Sequence, residues 1–119
     1  MGGKSITVCG ASAYEEKYYL NPAFARLPQA IRDELRIMCV MFTQDVGGIF
    51  TLEMDEDGNL KMKTQSREDD FSFDEIGSIL KIKELQRTKE ELFRSLELYN
   101  KLVARGAAGG DASEKKITF

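Results

Sequence analysis

The chain contains no histidine and no tryptophan, and only two prolines and two cysteines occur among its 119 residues. Without histidine, Ser-His-Asp triads, Cys-His dyads and histidine metal sites are excluded. No segment approaches the ~20 consecutive apolar residues that a membrane-spanning helix requires, so we expect no membrane association. A net charge of −3 argues against nucleic acid as a partner, because phosphate recognition needs a clustered basic face. The length and composition predict one soluble globular domain.

The two cysteines, Cys9 and Cys39, lie in segments of different character and form no CxxC motif. We therefore expect two free thiols in a reducing cytosol rather than a disulfide scaffold. Residues 1–6 carry one basic residue and no apolar segment, so no secretory signal is visible and a cytoplasmic location is predicted. Cys39 is expected in the core. Cys9 precedes a predicted helix start, where the helix dipole can favour a thiolate, and is the candidate reactive thiol; a structural role at a tight turn is the favoured alternative.

The N-terminal segment predicts a short strand and a short helix. Residues 6–9 are β-prone and are expected to form an edge strand or an ordered arm. Ser12 and Glu15 have the spacing of a capping box, which predicts a helix that runs from Tyr14 to Leu20. Pro22 then ends this helix, because the residue before a proline is pushed out of the helical region.

A second, central helix is predicted from Pro28, which is favoured in a first helical turn, to the glycines at 47 and 48. Its apolar residues recur at steps of three and four, as on one face of a helix. Between Ile37 and Phe42 the other faces become apolar too, and a helix that is apolar on all sides is surrounded by protein. The pattern therefore predicts a buried central helix.

A β-hairpin is the clearest local prediction. Apolar and polar residues alternate from residue 50 to 55 and again from 60 to 63. A three-residue loop with Gly58 in the left-handed conformation pairs Asp55 with Asn59. This register places Met54 opposite Leu60 and leaves one apolar face, which needs a helix across it and a third strand from residues 6–9 or from a partner.

The last predicted element is a long helix that starts at a second capping box, residues 72–75, and reaches toward Arg105. Roughly 33 residues would make a helix of about 50 Å, whereas a domain of this size is about 35 Å across. Its far end carries an apolar stripe that cannot stay bare in water: Leu92, Leu96, Tyr99 and Val103. Either the helix breaks within the polar segment 86–91 and folds back, or a second chain covers the stripe. We favour the second alternative, because that segment contains no glycine or proline.

Carboxylates gather near the start of this helix, and the cluster consists of Glu68, Asp69, Asp70, Asp74 and Glu75, with Arg67 beside them. Paired acids can perform acid–base chemistry or hold Mg²⁺. The favoured alternative is that acidic residues simply stabilise a helix N-terminus. Around the helices and strands we expect a flexible N-terminus at residues 1–5, one domain at 6–105 and a disordered tail at 106–119.

Several short motifs together resemble one family. They are the CGAS of residues 9–12, the YE and KYY that follow, the NP of residues 21–22, the DVGG of residues 45–48 and the DEIGS of residues 74–78. The chain is similar, from about Val8 to Val103, to a family of short, uncharacterised bacterial proteins that is classed only as a domain of unknown function. The resemblance implies a bacterial cytosolic protein and no particular reaction, cofactor or catalytic residue.

Together these features predict an α+β fold in two layers: a short helix, a buried central helix, an antiparallel hairpin and a long C-terminal helix. The leading functional hypothesis is a non-enzymatic homodimeric interaction or adaptor module that associates through the stripe at Leu92, Leu96, Tyr99 and Val103 and contacts an unidentified protein partner. One alternative is a small enzyme or redox protein that uses Cys9 or the acidic cluster around Asp74. Another is an acidic chaperone-like adaptor for a basic partner. No catalytic residue, cofactor or metal site is predicted.

Overall fold

The computed structural model describes residues 5–104, and the expectations for the first four residues and for residues 105–119 lie outside this range. Four strands lie within the described residues: β1 (Ile6–Ser12), β2 (Lys17–Leu20), β3 (Ile49–Met54) and β4 (Leu60–Gln65). The helices are α1 (Gln29–Val46), α2 (Glu75–Thr88) and α3 (Glu90–Tyr99), with a 3-10 turn at Pro22–Phe24 and a π-helical turn at Asn100–Ala104. The predicted α+β class is confirmed, and the two-layer arrangement stays a prediction.

The strands form one antiparallel sheet in the order β2-β1-β3-β4. The hairpin register is confirmed, with Met54 opposite Leu60 and Asp55 N donating to Asn59 O at 2.9 Å. Gly58 has a φ of 87°, which is the left-handed conformation that the loop requires. The third strand that the hairpin needs comes from the same chain. It is longer than predicted and lies in the interior of the sheet.

The short helix predicted from Tyr14 to Leu20 is wrong, because this segment forms a turn and the edge strand β2. The predicted hydrogen bond is present, with Glu15 N donating to Ser12 Oγ at 3.2 Å, but it stabilises a turn. Glu16 follows with a φ of 53°, which no helix allows. Pairing with β1 decides the outcome, since β1 would otherwise present an open edge.

Helix α1 packs against the sheet, and Phe42 stacks on Phe50 of β3 with ring centroids 4.3 Å apart. The buried core contains the inward residues of α1, β1 and β3 together with Phe24 and Leu27. The expectation that α1 is surrounded by protein is wrong, because Ile37 is 62% exposed and Met41 is 50% exposed. One side of this helix therefore presents apolar residues to solvent.

The prediction of a single long C-terminal helix is also wrong. The chain bends at Lys89, where φ is −112° and ψ is 23°. Helical hydrogen bonds continue on both sides: Lys89 N donates to Leu85 O, and Phe93 N donates to Lys89 O. The bend needs no glycine or proline, because only one residue leaves the helical conformation. It directs α3 toward the core, where Leu92 and Leu96 are buried.

The predicted capping box at residues 72–75 is displaced by two residues. Asp74 is the N-cap of α2, and its Oδ1 accepts a hydrogen bond from Gly77 N at 2.8 Å. The hydroxyl of Ser72 instead donates to Asp70 Oδ1 at 2.6 Å. Phe71, which precedes Ser72, is exposed.

Candidate functional site

The predicted interface stripe lies within the core of its own chain. Leu92 and Leu96 belong to the main hydrophobic cluster, and Tyr99 packs on Phe24 with ring centroids 5.6 Å apart. Val103 lies on the π-helical turn and is half-buried. The length argument for a dimer through this stripe therefore fails, since the bend at Lys89 lets the same molecule cover it.

Two residues of the acidic cluster, Asp70 and Asp74, have structural partners. Tyr14 donates its hydroxyl hydrogen bond to Asp70 Oδ2, and Arg67 lies over the Tyr14 ring at 4.2 Å from its centroid. Hydrogen bonds from Ser72 and Tyr14 lower the pKa of Asp70. Within residues 5–104, no group of three or more Cys, Asp or Glu side chains is arranged to hold a metal ion. These contacts fasten a turn and cap a helix.

The two cysteines lie side by side in the core, a pairing that the sequence analysis missed. Cys9 Sγ and Cys39 Sγ are 3.6 Å apart, and both residues are buried. The hydrogen bond with Cys9, with burial as a second cause, raises the pKa of the Cys39 thiol. No local motif shows this pair, because 30 residues separate the two positions and only the packing of α1 on β1 joins them.

Tyr18 of the edge strand β2 lies beside the two thiols. Its hydroxyl oxygen is buried without a hydrogen-bond partner among the described residues. Burial, together with the neighbouring thiols, raises the pKa of this hydroxyl far above its usual value.

A groove of about 450 Å³ runs between α1 and α2. Ile37, Met41 and Phe42 line it from α1, and Leu85 lines it from α2. The extra apolar residues of α1 are the sequence signal for this surface, and their pattern alone also fits a buried helix. A groove with mainly apolar walls and a few charges is typical of a binding surface.

Two ion pairs bridge the helices at opposite ends of this groove. Lys81 Nζ lies 2.8 Å from Asp45 Oδ2, and Lys89 Nζ lies 2.9 Å from Glu34 Oε2. The Asp45 carboxylate raises the pKa of Lys81. Each end of the groove thus carries an ion pair, and Asp33 adds a further acidic side chain to the lining.

Helix α2 is apolar on more than one side. Ile82 and Leu85 pack against the core, and Ser78 is its only fully buried side chain. The residues Ile76, Ile79 and Leu80 are at least half exposed. An apolar surface on the outer side of a helix is typical of a helix that has protein on both sides.

The comparisons with known proteins place the chain in a family. A family model described as "Family of unknown function (DUF6145)" matches residues 5–108. The chain belongs to this family. The match covers all of the described residues and confirms the expected resemblance to a family of unknown function. Searches of curated proteins and of solved structures found no match.

The family match names no reaction or ligand. Within the described range, none of the helices has both the length and the apolar character to cross a bilayer. The buried thiol pair and the α1–α2 groove are features that the core and the turns do not require. The groove is the larger of the two and is open to solvent.

Proposed function

We propose that the protein is a non-enzymatic, cytoplasmic interaction module that forms a homodimer through the α1–α2 groove and the outer side of α2. The single observation that carries the proposal is the exposure of large apolar side chains on both helices, with Ile37 and Leu80 each 62% exposed. Monomeric soluble proteins rarely expose contiguous apolar patches of several such residues. This interface replaces the stripe at Leu92 and Leu96.

The charges around the groove favour a second copy as its occupant. Lys81 and Asp45 stand at one end, and Lys89 and Glu34 stand at the other. A two-fold interface brings the same surface of both subunits together, so it must be self-complementary. A rim with both signs at each end meets this condition.

Burial of the exposed apolar side chains of α2 supplies the driving force for dimerisation. Removing an exposed isoleucine or leucine side chain from water stabilises an association by about 1.5–3 kcal/mol. Several such residues on two neighbouring helices provide the apolar centre that a stable interface needs. Since few side chains of α2 are buried within its own chain, a second copy that covers α2 removes its exposed apolar side chains from water.

Sedimentation of the full chain tests this proposal. We expect a dimer at micromolar concentration, and Ile37→Lys or Leu80→Lys should raise the dissociation constant at least about tenfold. Leu98→Lys is the matched control, because Leu98 is 57% exposed on α3, outside the proposed interface. Circular dichroism should show that all three variants remain folded.

Two results contradict the proposal. A wild-type chain that stays monomeric up to hundreds of micromolar excludes the homodimer. If the wild type is a dimer that Leu98→Lys disrupts and the other two variants leave intact, the interface lies on α3 instead.

A further inference from the structure

We propose that Cys9 and Cys39 are a site of reversible oxidation, where a hydroperoxide converts the buried thiol pair to an intramolecular disulfide. The two sulfur atoms are already 3.6 Å apart. Closing to the ~2.05 Å of a disulfide bond asks for a movement of less than 2 Å. The site is independent of the α1–α2 groove and of the homodimer.

Each cysteine of the pair has a second thiol held next to it by the fold. Cys9 lies on β1 in the sheet interior, just after an irregularity in its pairing with β3 between Thr7 and Cys9. Cys39 lies on α1, which packs on that sheet. Both elements belong to the core. The Cys39 sulfur is therefore held next to the Cys9 sulfur, which gives it a high effective concentration.

The edge strand provides the route by which the oxidant reaches the pair. β2 has four residues and pairs with β1 only, with Leu20 opposite Cys9. Tyr18 of this strand lies beside the thiols, and its hydroxyl is buried. Short edge strands open locally at a smaller free-energy cost than the core. Oxidation is therefore slow in the closed state and proceeds when β2 opens.

The reaction balances with the hydroperoxide as the two-electron oxidant. In the first step the Cys9 sulfur attacks one peroxide oxygen, a sulfur–oxygen bond forms and the oxygen–oxygen bond breaks. The leaving alkoxide takes the thiol proton and departs as an alcohol, or as water when hydrogen peroxide is used. The Cys39 sulfur then attacks the Cys9 sulfur, a sulfur–sulfur bond forms and the sulfur–oxygen bond breaks. The leaving hydroxide takes the Cys39 proton and departs as water.

Cys9 acts first because it lies on β1, directly beside the edge strand β2, and Cys39, whose sulfur is 3.6 Å away, acts second. In total the two sulfurs lose two electrons and the peroxide gains two. A reducing dithiol reverses the change by thiol–disulfide exchange.

Hydrogen peroxide treatment of the full-length wild-type chain tests the proposal. After denaturation and alkylation, we expect an intact mass that has lost two hydrogen atoms and carries no alkyl group. Peptide mapping should find the Cys9 peptide linked to the Cys39 peptide, and dithiothreitol should release both. In Cys39→Ala the same treatment should give oxidised Cys9 without an internal link.

A redox-buffer experiment measures the same pair without any variant. In glutathione buffers, the equilibrium constant for the internal disulfide should be at least roughly tenfold larger in the native chain than in the urea-unfolded chain. By linkage, the urea midpoint of the oxidised chain should then be higher than that of the reduced chain. An equal or smaller constant in the native chain overturns the proposal.

The route through β2 has its own matched variants. Tyr18→Ala should accelerate oxidation several-fold, whereas Tyr18→Phe, which keeps the ring and removes only the buried hydroxyl, should oxidise no faster than the wild type. Three results overturn the proposal: both thiols stay free under conditions that oxidise the unfolded chain, the disulfide forms between two chains, or Cys9 proceeds to a sulfinic acid while Cys39 remains a thiol. Equal rates for Tyr18→Ala and Tyr18→Phe overturn the route.

Discussion

Lys89 Nζ lies 2.9 Å from Glu34 Oε2, and this ion pair joins the bend between α2 and α3 to α1. Both side chains are partly exposed, so the pair itself contributes at most about 1 kcal/mol. The position of this ion pair at the bend matters more than the free energy that it contributes. The chain changes direction at Lys89, and the turn of α3 that follows buries Leu92 and Leu96. A stripe that would be bare on a straight helix thereby becomes part of the core.

The first prediction concerns this burial. Leu96 is 0% exposed and Leu98, two residues further along α3, is 57% exposed. Leu96→Ala should lower the free energy of unfolding by about 2–5 kcal/mol, because it leaves a cavity. Leu98→Ala should change it by less than about 0.5 kcal/mol. Urea unfolding at a fixed protein concentration measures both, and equal effects of the two substitutions would show that α3 packs otherwise.

The second prediction concerns pH. Hydrogen bonds from Ser72 and Tyr14 lower the pKa of Asp70, so the folded state binds this proton less readily than the unfolded chain does. The resulting stability is fully present above about pH 3.9, the ordinary aspartate value, and is lost as the pH falls through the folded-state pKa.

Asp70→Asn should therefore lower the urea midpoint at neutral pH, and the difference from the wild type should shrink as the pH falls below about 4. Unfolding curves between neutral and acidic pH measure this change. The control is Asp69→Asn, whose side chain is exposed on the same turn. A difference that stays constant across the acidic range would contradict the assignment.

The third prediction compares two glycines in left-handed conformations. A Cβ at Gly48 would lie 2.5 Å from Gln65 O and 2.8 Å from ring atoms of Phe73, whereas a Cβ at Gly58 would meet nothing within 4 Å. Gly58→Ala should therefore cost about 1 kcal/mol, from backbone conformation alone. Gly48→Ala should cost more than about 2 kcal/mol, because it adds a clash with backbone. Thermal or urea unfolding measures both, and equal costs would exclude the close approach of Phe73.

The thiol pair and the groove show why a candidate site is harder to predict than a fold. Cys9 and Cys39 carry no signal of their contact, since the contact is made by the packing of a helix on a sheet. The groove did leave a signal, because Ile37 and Met41 widen the apolar part of α1. That widening has two physical explanations, burial in the core and an exposed binding surface, and the one-dimensional pattern is the same for both.

The sequence by itself determined the features that depend on neighbours along the chain. Gly58 and the alternation on either side of it specify the register of the β3–β4 hairpin, and the period of α1 together with its terminal glycines specifies that helix. Tertiary structure decided the rest. Residues 17–20 became a strand because β1 needed a partner at its edge, and the helix bent at Lys89 because the core could bury Leu92 and Leu96 only if α3 turned. In both places the energy gained from distant contacts exceeds the small local preference for a helix.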